Sequence, residues 1–396
     1  MLEQLFGVPF TLLSFVLTLT VVVFVHEFGH FIIARRNGVH CSAFSIGFGP
    51  ELFGYTDKHG TRWKFSLIPL GGYVKMFGEA ETMQAIEGGA EPTAIEGSPD
   101  GTKSEGNKDK KAVARQEREL TPEEQKISFK HKTIAQRAAI VFAGPAINFL
   151  FAIGVFWIMF MTVGRPVTEP VVGQVVEGSA AAAAGVLAHD RIISVNGNAI
   201  GRFEDIQGIV QLNDGSAMAV VINRDGRDQN LSITPRMSAQ EDAFGNPSKR
   251  YLLGIASSGE TSRIVTSNPI EALRISVRQT YDVVEGTFVA MGQIIAGTRG
   301  TEDLGGPIKI AKYSGQAAKN GGVQFIAFMA ILSINLGLIN LFPVPMLDGG
   351  HLLFYAIEAV RGRPLSERAQ EWGLRVGLAL VGALMIFVTW NDIAHL

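Results

Sequence analysis

Two histidines and a glutamate stand in "VVVFVHEFGHFIIARR", positions 21–36, a run otherwise apolar enough to dissolve in lipid. His26 and His30 are four residues apart, so on a helix both imidazoles share a face and can reach one cation. Glu27 sits beside them, placed to take a proton from an attacking water. Ionisable groups in such a run are costly unless a cation and one another satisfy them, which favours a metal site over a packed polar cluster. Catalytic zinc takes three protein ligands and keeps a fourth position open, so a third ligand has to come from elsewhere in the chain. Asp348 in "NLFPVPMLDGGH" is the expected third. Pro343 and Pro345 interrupt the helix before it, and Gly349 with Gly350 allow close backbone approach. His351, three residues further on, competes for that role. The chemistry such a set would support is metal-assisted hydrolysis of a peptide bond, with Glu27 passing the water's proton to the leaving amine.

Such groups need helices that cross a membrane to carry them. The chain has 396 residues, 47% of them hydrophobic, which is too apolar for one ordinary soluble fold. Four stretches approach the roughly 20 apolar residues that span a bilayer core. They run from about Phe10 to Ala34, Ala138 to Val163, Val323 to Phe342 and Leu374 to Trp390. The expected fold is a multi-pass α-helical membrane protein with a membrane-associated β-hairpin region and one extracytoplasmic β-rich domain. "MLEQLFGVPFTLLSF" lacks the basic leader of a cleaved signal peptide and reads as part of a retained first span. Pro269 to Ala296 carries five charged residues and is predicted to be an amphipathic helix lying on the membrane. Basic residues at 35–36, 130–137 and 361–368 mark three cytoplasmic flanks, which puts both termini and residues 164 to about 321 outside. With a net charge of −2 there is no basic surface for nucleic acid. The single cysteine, Cys41, can form no internal disulfide and reads as a small buried side chain.

Expected boundaries follow. Residues 1–36 form the first span, 37–78 a hairpin or re-entrant region, 79–130 a disordered cytoplasmic insert poor in aromatics, and 131–164 the second span. Residues 165–260 form the outward domain, with hairpin turns at Asn196-Gly197 and Asp225-Gly226. Residues 261–320 hold the surface helix and a "GGPI" loop, 321–350 the third span with Asp348, and 351–396 a cytoplasmic loop and the fourth span. A substrate cut inside a membrane must first leave its helical form. An extended segment could be held by strand addition to the hairpin between Trp63 and Tyr73, and by Asn335 and Asn340 on its backbone.

Together, "HEFGHFIIARRNGVHCSAFSIGFGP", "FAGPAINF", "GGPIKIAK" and "NLFPVPMLDGG" resemble the site-2 protease family of intramembrane zinc metalloproteases. The likeness is to the bacterial regulator-of-sigma-E protease group, in a form with a single PDZ domain, and it covers most of the chain. The resemblance implies Zn2+ held by His26, His30 and Asp348, Glu27 as general base, and Asn340 in contact with substrate or transition state. It implies a membrane-re-entrant β-loop at Arg62 to Phe77, and it makes the outward domain a PDZ module. Ala180 and His189 stand where the family carries proline and glycine, so that module either grips peptides or only screens substrates by size. The implied location is the bacterial inner membrane, with the PDZ domain periplasmic. The implied substrates are single-span membrane proteins, anti-sigma factors or remnant signal peptides, trimmed first by an upstream site-1-type protease. A catalytically inactive, membrane-tethered PDZ scaffold is the rival reading, although it gives no reason to keep four costly polar groups. An ion-coupled transporter would show repeated broken helices, and none recurs.

Overall fold

The computed structural model describes residues 2–79, 120–241, 247–257, 262–301 and 304–394. It opens with helix α1 (Leu2–Arg36), apolar almost throughout and ended by Arg35 and Arg36, whose charges suit a helix C-terminus. Strands β1 (Cys41–Thr56) and β2 (Arg62–Met76) follow and fold on each other twice. Phe44 pairs with both Val74 and Trp63, so the first half of β1 lies between the two halves of β2. Glycine at positions 47, 49 and 71 with positive φ permits these bends.

The hairpin tip is tied to α1 through Asp57. Its carboxylate accepts from the backbone N–H of His59 (2.8 Å) and Thr61 (3.0 Å), from Trp63 Nε1 (3.3 Å) and from Arg35 (3.1 Å). Burial would raise its pKa, but the backbone bonds from Thr61 and His59, the Trp63 N–H and Arg35 together hold it below the usual carboxylate range. The tie is therefore complete above about pH 4 and lost as the pH falls through the lowered value. Replacing Asp57 by Ala is expected to lower amide hydrogen-exchange protection factors across 57–63 by roughly tenfold or more, and acid should do the same to the parent once the pH falls through the lowered value.

Helix α2 (Pro122–Ile127) starts on a capping box in which Thr121 and Glu124 satisfy each other's backbone N–H. It falls within the stretch expected to be a disordered insert, 79–130, and corrects that expectation at its C-terminal end. The reason is local: the cap seeds a turn, and Phe129 is buried with Phe31 and Phe44 while its N–H bonds the Phe77 carbonyl at 2.8 Å. The rest of the insert, 80–119, lies outside the described residues. Helix α3 (Ile134–Thr162) starts on a second capping box, Thr133 with Gln136.

Beyond α3 the chain builds a β-rich unit. It comprises β3 (Arg165–Val167), β4 (Val172–Val175), the single turn α4 (Ala180–Ala183), β5 (Arg191–Val195), β6 (Asn198–Ala199) and α5 (Phe203–Gln211). It continues through β7 (Met218–Arg224), β8 (Arg227–Ile233), β9 (Arg236–Glu241), β10 (Pro247–Leu252), β11 (Ile255–Ser257) and β12 (Arg263–Val265). The main sheet has the order β6-β5-β7-β8, with β4 paired to β11, β9 to β10 and β3 to β12. Val195, Ile206, Met218 and Ile222 form its core with the buried face of α5. Asn196-Gly197 and Asp225-Gly226 both have positive φ at both residues, the twist-matched hairpin geometry that those pairs predict. The β3–β12 pair brings the two chain ends of the unit together and carries it to Val265, past the expected boundary at 260.

His189 in this unit adopts φ 71° with an exposed side chain. An L-residue other than glycine pays about 1–2 kcal/mol for that conformation, while glycine loses some of this gain to chain entropy. His189→Gly is expected to stabilise the unit by about 0.5–1 kcal/mol, read as a higher unfolding midpoint in denaturant.

Four helices remain before the last span. Helix α6 (Pro269–Ile295) buries Ala272, Ser276 and Thr280, one small residue per turn, and Ala272 belongs to the cluster that holds Phe156 and Phe160 of α3. Leu273, Val277 and Tyr281 stay exposed. The helix predicted to lie on the membrane packs along α3, where the small stripe allows close approach. Helix α7 (Pro307–Lys319) packs on α1, where Ser314 and Thr18 share a buried hydrogen bond of 2.8 Å. Then come α8 (Gly322–Asn340) and α9 (Asp348–Arg361). The final helix, α10 (Glu367–Ala394), ends with Asp392, whose carboxylate accepts from the N–H groups of Gly306 (2.9 Å), Ile308 (3.0 Å) and Lys309 (3.0 Å). This accounts for "GGPI": a Cβ on Gly306 would lie 2.6 Å from that carboxylate. Among the described residues four helices are long and apolar enough to cross a membrane, over Gly7–Arg36, Ile134–Thr162, Gly322–Asn340 and Arg368–Ala394. They match the four expected stretches.

Candidate metal centre and active site

His26 and His30 lie one turn apart on α1 and face α3. Glycine lets the helices meet there. A Cβ on Gly29 would overlap the Ala143 carbonyl, and one on Gly144 would overlap His30 Nε2 and come within 2.9 Å of His26 Cε1. Both rings are held from behind. His30 Nδ1 is 2.9 Å from the Ile140 carbonyl, which can only accept, so Nδ1 carries the proton and Nε2 offers a lone pair. His26 Nδ1 is 3.1 Å from the Asn148 amide, whose Oδ1 has no hydrogen-bond partner among the described residues. Half a turn of that amide lets Oδ1 accept from Nδ1–H and leaves Nε2 of His26 as a lone pair too.

Asp348 opens α9 after an irregular stretch. Met346 takes φ 89°, and a Cβ on Gly349 would overlap the carbonyls of Leu341 and Phe342, so the loop folds tightly under the first turn. Asp348 Oδ2 then lies 3.2 Å from His26 Nε2 and 3.5 Å from His30 Nε2, and the two Nε2 atoms are 3.3 Å apart. Tetrahedral zinc with bonds of roughly 2.0–2.1 Å keeps its ligand atoms ~3.4 Å from one another. Three inward acceptors at that spacing repel one another without a cation, and Asp348 Oδ2 is buried with no hydrogen-bond donor among the described residues. The residues fit zinc. Zinc bound there supplies positive charge that acidifies water and polarises a carbonyl.

A cavity of about 290 Å³ opens beside these three side chains. Glu27, Asn340, Val74, Met76, His351 and Tyr355 are in its wall. Asn340 Nδ2 is 3.5 Å from His26 Nε2. The backbone of β2 runs against Glu27, since a Cβ on Gly72 would come 3.4 Å from Glu27 Cγ. Two expected substrate contacts lie elsewhere. Asn335 is outside the wall, and its Oδ1 accepts from Thr287 on α6 at 3.1 Å. Tyr73 stacks on Phe48, 6.3 Å between centroids, because strand alternation gives Val74 and Met76 the cavity face. Sequence reasoning missed Gly144, Asn148 and the Ile140 carbonyl. An asparagine inside an apolar helix was the available signal.

Comparison with known proteins supplies the chemistry's family. Over 385 residues the chain is 42% identical to a protein of Mesorhizobium japonicum assigned as a zinc metalloprotease, covering 97% of this chain and 98% of that one. A protein of Rhizobium meliloti with the same assignment is 40% identical, over 98% and 97% of the two chains. The zinc metalloprotease RasP of Geobacillus kaustophilus is 33% identical, over 97% of each. Residues 14–384 match the family described as Peptidase family M50, and the chain therefore belongs to these site-2 proteases, as a zinc-dependent metalloendopeptidase.

Proposed function

We propose that this chain hydrolyses a peptide bond inside the membrane-spanning segment of a single-span protein whose outer part has already been removed by another protease. His26, His30 and Asp348 hold the zinc, Glu27 takes the proton of the attacking water and delivers it to the leaving amine, and Asn340 contacts the substrate. The carrying observation is the convergence of three donor atoms, all within 4.8 Å of one another, two of them (His26 and His30) from a helix otherwise apolar over 30 residues and the third (Asp348) from the start of α9. The free side of β2 favours an extended substrate. Residues 72–76 pair with β1 on one side, no further strand pairs with them among the described residues, and Gly72 lies against Glu27. A substrate strand added there would have its carbonyls presented to the cavity.

The β-rich unit follows α3 and precedes α8, on the side opposite the basic flanks, so it serves as an outer PDZ-like filter that admits trimmed substrates. The setting is the bacterial inner membrane, with this unit periplasmic, and the substrates are regulators of the anti-sigma class or remnant signal peptides. The test uses the full chain in liposomes with a single-span protein, intact or shortened on its outer side, and locates the cut by mass spectrometry. Cleavage within the apolar stretch of the shortened form is expected. Cuts only in polar, extramembrane segments would overturn the reading.

A further inference from the structure

His351 belongs to the cavity and has no part in holding the metal. It stands one turn beyond Asp348 on α9, so the two share a helix face, and it lines the wall with Glu27, His30 and Asn340. The three converging donors do not include it. Its Nε2 is buried with no hydrogen-bond partner among the described residues. Its ring meets Phe354 edge to face, 6.2 Å between centroids at 88°, which holds the ring in place in the wall. A buried nitrogen left unpaired is destabilising, so its retention on the wall of a peptide-hydrolysing cavity points to a partner that arrives with the substrate.

We propose that His351 is a catalytic residue that donates a hydrogen bond from Nε2–H to the carbonyl oxygen of the scissile peptide. The bond strengthens as that oxygen becomes an oxyanion under attack. A neutral imidazole suffices, because the Nε2–H tautomer is already a donor. Asn340, its amide nitrogen 3.5 Å from His26 Nε2, supplies a second donor on the same wall. The inference rests on the cavity being the place where an intramembrane peptide is cut.

The test compares parent, His351→Phe and His351→Gln as full chains in liposomes, reading kcat, KM and bound zinc. Phenylalanine keeps the ring and removes the donor, whereas glutamine places an amide nitrogen near the Nε2 position. Loss of one such donor is expected to lower kcat about 10²–10³-fold, with KM changed less than about threefold and zinc retained, and glutamine should restore at least about tenfold. Parent-like cleavage by His351→Phe overturns the proposal. So does zinc lost in step with activity, or a glutamine variant as poor as phenylalanine. Should His351→Phe fail to fold, His351→Asn replaces it, with its amide near Nδ1 and an activity expected at least about tenfold below His351→Gln. A parent that leaves the span uncut defeats the proposed function itself, while a cutting parent beside an equally active His351→Phe defeats this inference alone.

Discussion

Glu27→Gln is expected to lower cleavage of a membrane-spanning peptide by about 10³-fold, with zinc content and fold unchanged. Glutamine has nearly the same volume and keeps a polar end group, so the packing of β2 against position 27 survives. A Cβ at Gly72 would already be 3.4 Å from Glu27 Cγ, and no backbone there has to move. Glutamine cannot accept and return a proton at neutral pH, so the variant loses proton transfer and keeps the electrostatic contribution of the bound metal. The check is a paired measurement of kcat and of zinc per chain on the same sample. Cleavage within about tenfold of the parent would remove Glu27 from the base role, and loss of zinc together with activity would make it a ligand. The scaffold alternative predicts no change, since neither variant nor parent would cut.

What could be read from the residues divides along one physical line. Features that depend on local chain geometry were legible. Histidines four apart in an apolar run, the Asn-Gly and Asp-Gly turns with positive φ at both residues, and the proline-broken approach to Asp348 all depend on neighbours in sequence. Features set by which helix meets which were not. Asn335 and Asn340 are both polar residues in one span, but Thr287 of α6 takes the first and the cavity the second, and no periodicity separates them. Tyr73 lost the cavity face to Val74 and Met76 because the bends in β1 and β2 set which side of the strand turns inward. Helix α6 carries enough charge to read as a surface helix, and only its stripe of Ala272, Ser276 and Thr280 hinted at close packing. The "TPEE" that caps α2 was a local signal of order within a stretch whose overall composition argued the other way. Asp392, some 85 residues from the loop it caps, gave no signal at all.

The same line explains why the second large effect is expected at a residue with no side chain. Gly144→Ala should lower zinc affinity by about 10–100-fold and lower cleavage in proportion. The added methyl would overlap Nε2 and Cε1 of His30 and crowd Cε1 of His26, and neither ring is free to yield. His30 is held through Nδ1 by the Ile140 carbonyl at 2.9 Å, and His26 by Asn148 at 3.1 Å. Rotating either ring breaks its tie and turns a lone pair away from the centre. Separating the helices instead opens the seam at Gly29 and draws both imidazoles away from Asp348, now 3.2 and 3.5 Å distant. The control lies on the same helix. A Cβ on Gly154 would meet nothing within 4 Å, so Gly154→Ala should keep both zinc and activity while improving helix propensity. Chelator titration of zinc from both variants decides the matter. If Gly144→Ala holds its metal as tightly as Gly154→Ala does, the close approach of α3 is not what sets the ligand geometry.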